Sequence, residues 1–173
     1  MSLKIAYIAT FFIHCFYYSS GFSPDKNDTY STEKRLFHIE RSKNKNIVCY
    51  DINVSSTGVL NEKKPLSVYW INLEEQGQQE ELSFIQEKLA YGYTVGKQNG
   101  TVSIELNATK NRKITVEHNG QRYFCRIEIN HRPSVLQKIY VKTKPNNSLQ
   151  VEYVELHGLD LATGAPVTER FFP

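Results

Sequence analysis

Arg41, Lys43 and Lys45 alternate with Ser42, Asn44 and Asn46 inside the stretch HIERSKNKNIVCYD, residues 38–51. Cations spaced this closely repel one another, so the segment gains by meeting an anion. Arginine can grip a carboxylate or phosphate with two parallel hydrogen bonds, and the serine and asparagines add neutral donors. The same residue types also make ordinary solvated turns. The chemistry predicted for residues 41–46 is recognition of an anionic glycan, a lipid headgroup or an acidic protein surface. It is not bond cleavage.

A second candidate is aromatic. Tyr69, Tyr91 and Tyr93 pair flat apolar rings with a polar tip, which suits sugars and protein surfaces. Trp70, in the most apolar segment of the chain, is assigned to the core instead. His38 and Glu40 are two apart, so they share a strand face, a spacing that can offer two ligands to one ion. The remaining histidines are isolated, and no metal site or cofactor is predicted. There is no G-x-S-x-G elbow and no cysteine–histidine signature, so no catalytic residue is assigned. Glu105, Glu117, Glu128, Glu152 and Glu155 fall mostly on the polar faces of strands, as on a sheet with one wet side. A hydrolase of glycans or phosphoesters is the rival reading, and needs His38, Glu40 and a further polar group in one concavity. A calycin-like carrier is another, and needs a hollow interior.

These residues sit on elements that read mainly as strands. LFHIER puts Phe37 and Ile39 on one face and His38 and Glu40 on the other. NIVCYDINV does the same with Val48, Tyr50, Ile52 and Val54 against Cys49, Asp51 and Asn53. LSVYWINL is apolar on both faces, and GYTVG, TVSIEL, KITVEH, QRYFCRIEIN, LQKIYVKT and LQVEYVEL follow. Asn99-Gly100 and Asn119-Gly120 carry hairpin chemistry, and Pro145 with two asparagines marks another turn. Over 78–91, Leu82, Ile85 and Leu89 recur at spacings of three and four. That predicts one helix lying across the sheet or covering one open end of it, with Gly92 as its cap. The predicted fold is mainly β: an antiparallel sandwich or small barrel of about eight to nine strands with one helix.

The ends set the compartment. Lys4 precedes an uncharged apolar run, Ile5 to Tyr18, followed by small residues at Ser19 and Gly21. The run is too short for a ~30 Å hydrocarbon core, so residues 1–21 read as a cleaved signal peptide. Residues 22–35 are polar and aperiodic, a flexible lead-in, and 36–173 form one β-rich domain. The expected location is periplasmic, outer-membrane-associated or secreted, with no membrane span in the mature chain. The whole chain carries a formal charge of +3, too balanced to argue for nucleic acid. Cys49 and Cys125 remain after cleavage. An oxidising compartment favours a bridge between them, at most about 4–5 kcal/mol for so long a loop; two buried thiols are the alternative.

Through LFHIERSKNKNIVCYDIN, PLSVYWI and ELSFIQEKLAYGYTV, the chain resembles a bacterial family of uncharacterised exported proteins, the domain-of-unknown-function family numbered 4833, over residues 36–160. The resemblance implies a bacterial exported domain. It carries no activity and no ligand residue. The function expected is therefore a non-enzymatic domain of the cell envelope that binds a ligand or partner.

Overall fold

The computed structural model describes residues 34–109 and 111–172. The expected signal peptide and almost all of the lead-in lie outside the described residues. Arg35, the last residue of that lead-in, already belongs to a strand. The strands are β1 (Arg35–Arg41), β2 (Ile47–Ile52), β3 (Leu66–Asn72), β4 (Gln78–Glu81), β5 (Tyr93–Gln98), β6 (Thr101–Leu106), β7 (Ile114–His118), β8 (Tyr123–Ile129), β9 (Arg132–Lys144), β10 (Asn147–Asp160) and β11 (Pro166–Phe171). A 3-10 turn (Leu73–Glu75) links β3 to β4. A short helix α1 (Phe84–Gln86) runs into a π turn (Glu87–Tyr91) before β5. No helix among the described residues is long and apolar enough to cross a membrane.

All the strands join one curled, mixed sheet that forms a half-barrel. Its organising feature is β9. One edge of β9 is followed by β10 from Ser134 to Lys144. The opposite edge takes β8 alongside Arg132–Val135 and then β1, in parallel, alongside Lys138–Val141. Two wings therefore leave the same edge: β8-β7-β6-β5 and β1-β2-β3-β4.

They diverge where β9 bends. Opposite β10 the register jumps between His157 and Gly158, which pair with Lys138 and Leu136, so Gln137 is an extra residue. Such a bulge bends its strand and increases its twist. It also switches which side chains face inward: Ser134 and Leu136 before it, Ile139 and Thr143 after it. Gly158 permits the approach, since a Cβ there would lie 2.4 Å from the Val135 carbonyl oxygen and 2.7 Å from Ile129 Cδ1.

The wings curl over a core drawn from alternate residues of nearly every strand. Phe37 stacks on Tyr50 with ring centroids 4.3 Å apart. Val48, Ile104, Ile114, Ile129, Leu136 and Leu156 fill the space around them. Their periodicity of two is the pattern read from the sequence. The free edges of the wings meet only through side chains. The Tyr93 hydroxyl accepts the Leu66 N–H (3.0 Å) and donates to the Leu66 carbonyl (2.6 Å), and Lys97 pairs with Glu62 at 2.6 Å.

Three expectations change. There are eleven strands rather than eight or nine, because the polar QQEE segment pairs with β3 as β4 and PVTERF pairs with β10 as β11. The former removes residues 78–81 from the predicted helix, which occupies only 84–91. Its stripe also fails to lie on the sheet: Leu82 packs on the core, but Ile85 and Leu89 are 67% and 74% exposed. A Ser83–Gln86 capping box holds one end, and the Asn107 amide donates to the Glu87 and Lys88 carbonyls at the other. Gly92 closes it by close approach rather than by a left-handed turn, since a Cβ would fall 2.2 Å from the Glu87 oxygen. Finally, Asn99-Gly100 makes the expected two-residue turn, but Asn119-Gly120 lies in a longer loop. An unexpected turn forms at Asn130-His131, with φ of 50° and 60°.

Replacing Gly158 by alanine forces backbone apart at the bend, and overpacking of this kind costs about 1–3 kcal/mol. The Gly158→Ala variant is expected to unfold at a lower urea concentration with an unchanged slope. An unaltered midpoint would show that the fork tolerates a side chain.

Candidate functional site

The β1–β2 loop is fixed by the parallel pairing that precedes it. Beyond Arg41↔Val141, the Ser42 N–H donates to the Val141 carbonyl at 3.0 Å. The Ser42 hydroxyl accepts the Thr143 N–H at 3.0 Å and lies 3.2 Å from the Thr143 hydroxyl. The loop is thereby pinned to the far end of β9. There Lys142 and Lys144, two apart, emerge on the face opposite the buried Thr143. With the Pro145–Asn147 turn they complete a groove of about 480 Å³, lined by Ser42, Lys43, Lys142, Thr143, Lys144, Pro145, Asn146 and Asn147. Every charge lining it is a lysine. Hydroxyls and amides supply further donors.

The structure does not bring the six residues predicted from the sequence into one cleft. Ser42 and Lys43 belong to the groove. Arg41 turns away, donating from Nη1 to the Tyr91 hydroxyl at 3.2 Å. Lys45 and Asn46 face the 3-10 turn: the Lys45 N–H donates to Glu74 Oε1, and Asn46 Oδ1 accepts the Glu74 N–H, both at 3.3 Å. Asn44 is exposed and lines none of the larger clefts. Lys142, Lys144 and Asn147 were missed because they lie a hundred residues further on. The K-x-K spacing in VKTKPNN, which sets both lysines on one strand face, was the available signal.

The aromatic trio divides as well. Tyr91 is buried, its carbonyl accepting from the Tyr50 hydroxyl at 2.8 Å and its ring edge-on to Trp70 at 5.1 Å. Tyr69 and Tyr93 line a separate cleft of about 550 Å³ together with Lys63, Lys64, Glu81 and Glu87. Tyr69 donates to Asp51 at 2.5 Å and accepts from Arg35 at 2.9 Å. Burial, then the Asp51 hydrogen bond and charge, push its hydroxyl up to about 12.

His38 and Glu40 do meet, at 3.1 Å, with Lys138 on the other carboxylate oxygen at 3.1 Å. Partial burial alone would raise the Glu40 pKa. Hydrogen bonds from His38 and Lys138, with their charge, outweigh it and hold the carboxylate below its usual range. This trio stands on the outer face of β1 and β9, away from the larger clefts. Among the described residues no three histidine, cysteine or carboxylate groups gather as for a metal.

Cys49 and Cys125 are free thiols. Cys125 lies in the core, whereas Cys49 points from the opposite face of β2, between His38 and Tyr69 of the neighbouring strands. The curl separates them, in place of the bridge that oxidation favours. Burial raises both pKa values, that of Cys49 to about 12.

In a further cleft of about 390 Å³, Arg112 and Glu169 satisfy each other. Glu169 accepts from two Arg112 nitrogens and, at 2.6 Å, from the Asn130 N–H in the tight β8–β9 turn. The Arg112 hydrogen bonds chiefly hold its carboxyl below the ordinary value.

What these features define is a curled β-domain with a cationic groove beside the β1–β2 loop. The model of a domain of unknown function (DUF4833) matches residues 37–170, and the chain belongs to that family. No curated protein and no solved structure matches it.

Two measurements check this geometry. Under denaturing conditions both thiols of the described domain should react with Ellman's reagent, and in the folded state neither should react quickly; a resistant pair would mean a bridge. The depressed Glu169 pKa contributes stability that is present above the unfolded glutamate value, about 4.3, and is lost as pH falls through the folded value. Glu169→Gln should therefore be less stable than the parent at pH 7, with the gap narrowing as pH falls below the unfolded glutamate value. A gap independent of pH would rule out the charged pair as its source.

Proposed function

We propose that this is an exported, non-enzymatic domain of the cell envelope that holds the anionic group of a glycan or lipid headgroup in the Lys43–Lys142–Lys144 groove. The observation carrying this reading is that three lysines line one concavity with no carboxylate among the lining residues. Phosphate, sulfate and uronate share the chemistry such a site recognises: diffuse negative charge with several acceptor oxygens, met by charge-assisted hydrogen bonds. The Ser42 and Thr143 hydroxyls and the Asn146 and Asn147 amides add the neutral donors of a sugar or headgroup site. The export reading rests on residues 1–21 and their apolar run.

The rival readings have less support. A hydrolase built on His38 and Glu40 would need them in a concavity, and they lie on the sheet's outer face, joined to Lys138. A carrier would need an enclosed apolar interior, whereas Phe37 stacks on Tyr50 within the core and the cleft of about 810 Å³ that Leu36, Phe37, Ile52, Val54 and Leu136 line is half open to solvent, with Lys34, Arg35 and Arg122 at its walls.

The test titrates the protein with a sulfated oligosaccharide and with phosphatidylglycerol vesicles, at low and at physiological salt. Binding in either arm should weaken as salt rises. The combined Lys43→Ala, Lys142→Ala and Lys144→Ala variant should lose at least tenfold in affinity, while Lys45→Ala loses little. Equal binding by the folded triple variant would dispose of the groove.

A further inference from the structure

Beside the lysine groove the outer face of the sheet changes from cationic to aromatic. Ile139 and Thr143 of β9 are buried, so Tyr140, Lys142 and Lys144 stand on the opposite, outer face. On β10, Val154 and Leu156 are buried, which puts Tyr153 and Glu155 outside. Phe171 of β11 packs on the core, so Arg170 and Phe172 stand outside too. The strand registers set these side chains in rows. Tyr140, Glu155 and Arg170 form one row. Lys142 and Tyr153 form the next, directly opposed, with Cβ atoms about 4.5–5.5 Å apart.

The rings make a cluster. Tyr140 and Tyr153 have centroids 6.3 Å apart, and Tyr153 and Phe172 lie edge-to-face at 6.4 Å. Arg170 lies over the Tyr153 ring, its guanidinium carbon 4.1 Å from the centroid. Glu155 Oε1 accepts from Arg170 Nε at 2.9 Å and from Nη2 at 2.6 Å, which holds the guanidinium there. A ring fixed in this way loses little freedom when a ligand arrives. Phe172 is 72% exposed. A large exposed ring that adjoins others forms a patch rather than a scattered apolar residue.

One acidic side chain borders the groove. Glu152 is the extra residue between the Val151 and Tyr153 pairings, and it shares with Lys144 and Asn146 an adjoining cleft of about 440 Å³. Lysines only donate hydrogen bonds, whereas an ionised glutamate accepts them. An anionic bilayer pressed against the groove would bring lipid phosphates up to this carboxylate. A single chain that carries hydroxyls beside its charge gains a partner there instead. Aromatic and acidic neighbours together favour a sugar over a lipid surface.

On the reading that the lysine groove holds an anion, we propose that its ligand is an acidic glycan, one of whose sugar rings packs against Tyr153 and Phe172. The sulfate or carboxylate of the glycan lies among Lys43, Lys142 and Lys144. A C–H face of the sugar meets the aromatic rings, and its hydroxyls donate to Glu152. Salt screens the attraction to the lysines. The rings supply apolar contact and orientation that salt leaves intact.

The experiment compares three probes on the full chain: a sulfated oligosaccharide, tripolyphosphate, which has charge but no sugar ring, and phosphatidylglycerol vesicles. Sugar C–H protons of the bound oligosaccharide should shift upfield in NMR spectra, as protons do over an aromatic ring. The double variant Tyr153→Leu, Phe172→Ala keeps apolar bulk at the half-buried position and should retain a cooperative thermal transition. It should lose about tenfold in oligosaccharide affinity and leave tripolyphosphate affinity unchanged. Tripolyphosphate binding, with no upfield shift of the sugar and no effect of the double variant, overturns this proposal and leaves the anion reading standing. Failure of every probe to bind the parent overturns both. Equal losses for oligosaccharide and tripolyphosphate in the double variant also overturn it, because the rings then only support the groove. So does a loss confined to the vesicles, which assigns the rings to a bilayer.

Discussion

One strand serving two wings from a single edge is the constraint on which this structure depends. β9 can carry β8 and then β1 on the same side only if it bends between Val135 and Lys138. The bend requires a bulge at Gln137 and a glycine opposite, at Gly158. A flat, regular β9 would leave β1 and β8, which pair with successive stretches of it, competing for the space beside one edge. The bulge settles that competition, and by reversing the inward parity of β9 it turns Ile139 toward the core beneath β1. Packing and hydrogen bonding are thus satisfied by the same extra residue.

The groove and the junction of the wings both follow from that fork. Because β1 runs parallel to β9, its end arrives at the end of β9, and the β1–β2 loop is laid beside Lys142 and Lys144. An antiparallel pairing would have sent the loop to the opposite end and broken up the cationic groove. Because the wings start from one edge and curl toward each other, β5 meets β3 through a side chain rather than by strand pairing. Groove and junction lie at different places on the sheet, yet both record where the wings begin and stop.

Period-two alternation was enough to locate β1, β2, β6, β7, β8 and β10, since one face of each is wet and the other buried. What escaped it has specific causes. β4 is QQEE, a strand held by backbone pairing to β3 with no apolar residue to announce it. The spacing of Leu82, Ile85 and Leu89 mimicked a core-facing helix, although only the first of them packs inward. The parity change within β9 is invisible to a rule that assumes unbroken alternation. The β1–β9 pairing joins segments a hundred residues apart, and no local pattern encodes it. For that reason the basic loop was legible as chemistry while its partners Lys142 and Lys144 were not.

The charges elsewhere on the domain show why the groove differs from an ordinary basic surface. Arg35 meets Asp51, Arg112 meets Glu169, Arg126 meets Glu117, Lys138 meets Glu40 and Arg170 meets Glu155, mostly across neighbouring strands. Each such pair is worth little by itself, but each sets a cation beside a carboxylate. Lys43, Lys142 and Lys144 converge without a carboxylate lining their groove. Their mutual repulsion is at most about 1 kcal/mol per pair in water even at 4 Å, which the free domain tolerates. An anion placed among them removes that repulsion and gains attraction from all three at once. The site therefore responds to multivalent or delocalised negative charge more strongly than to a single exposed carboxylate, and ionic strength modulates that response.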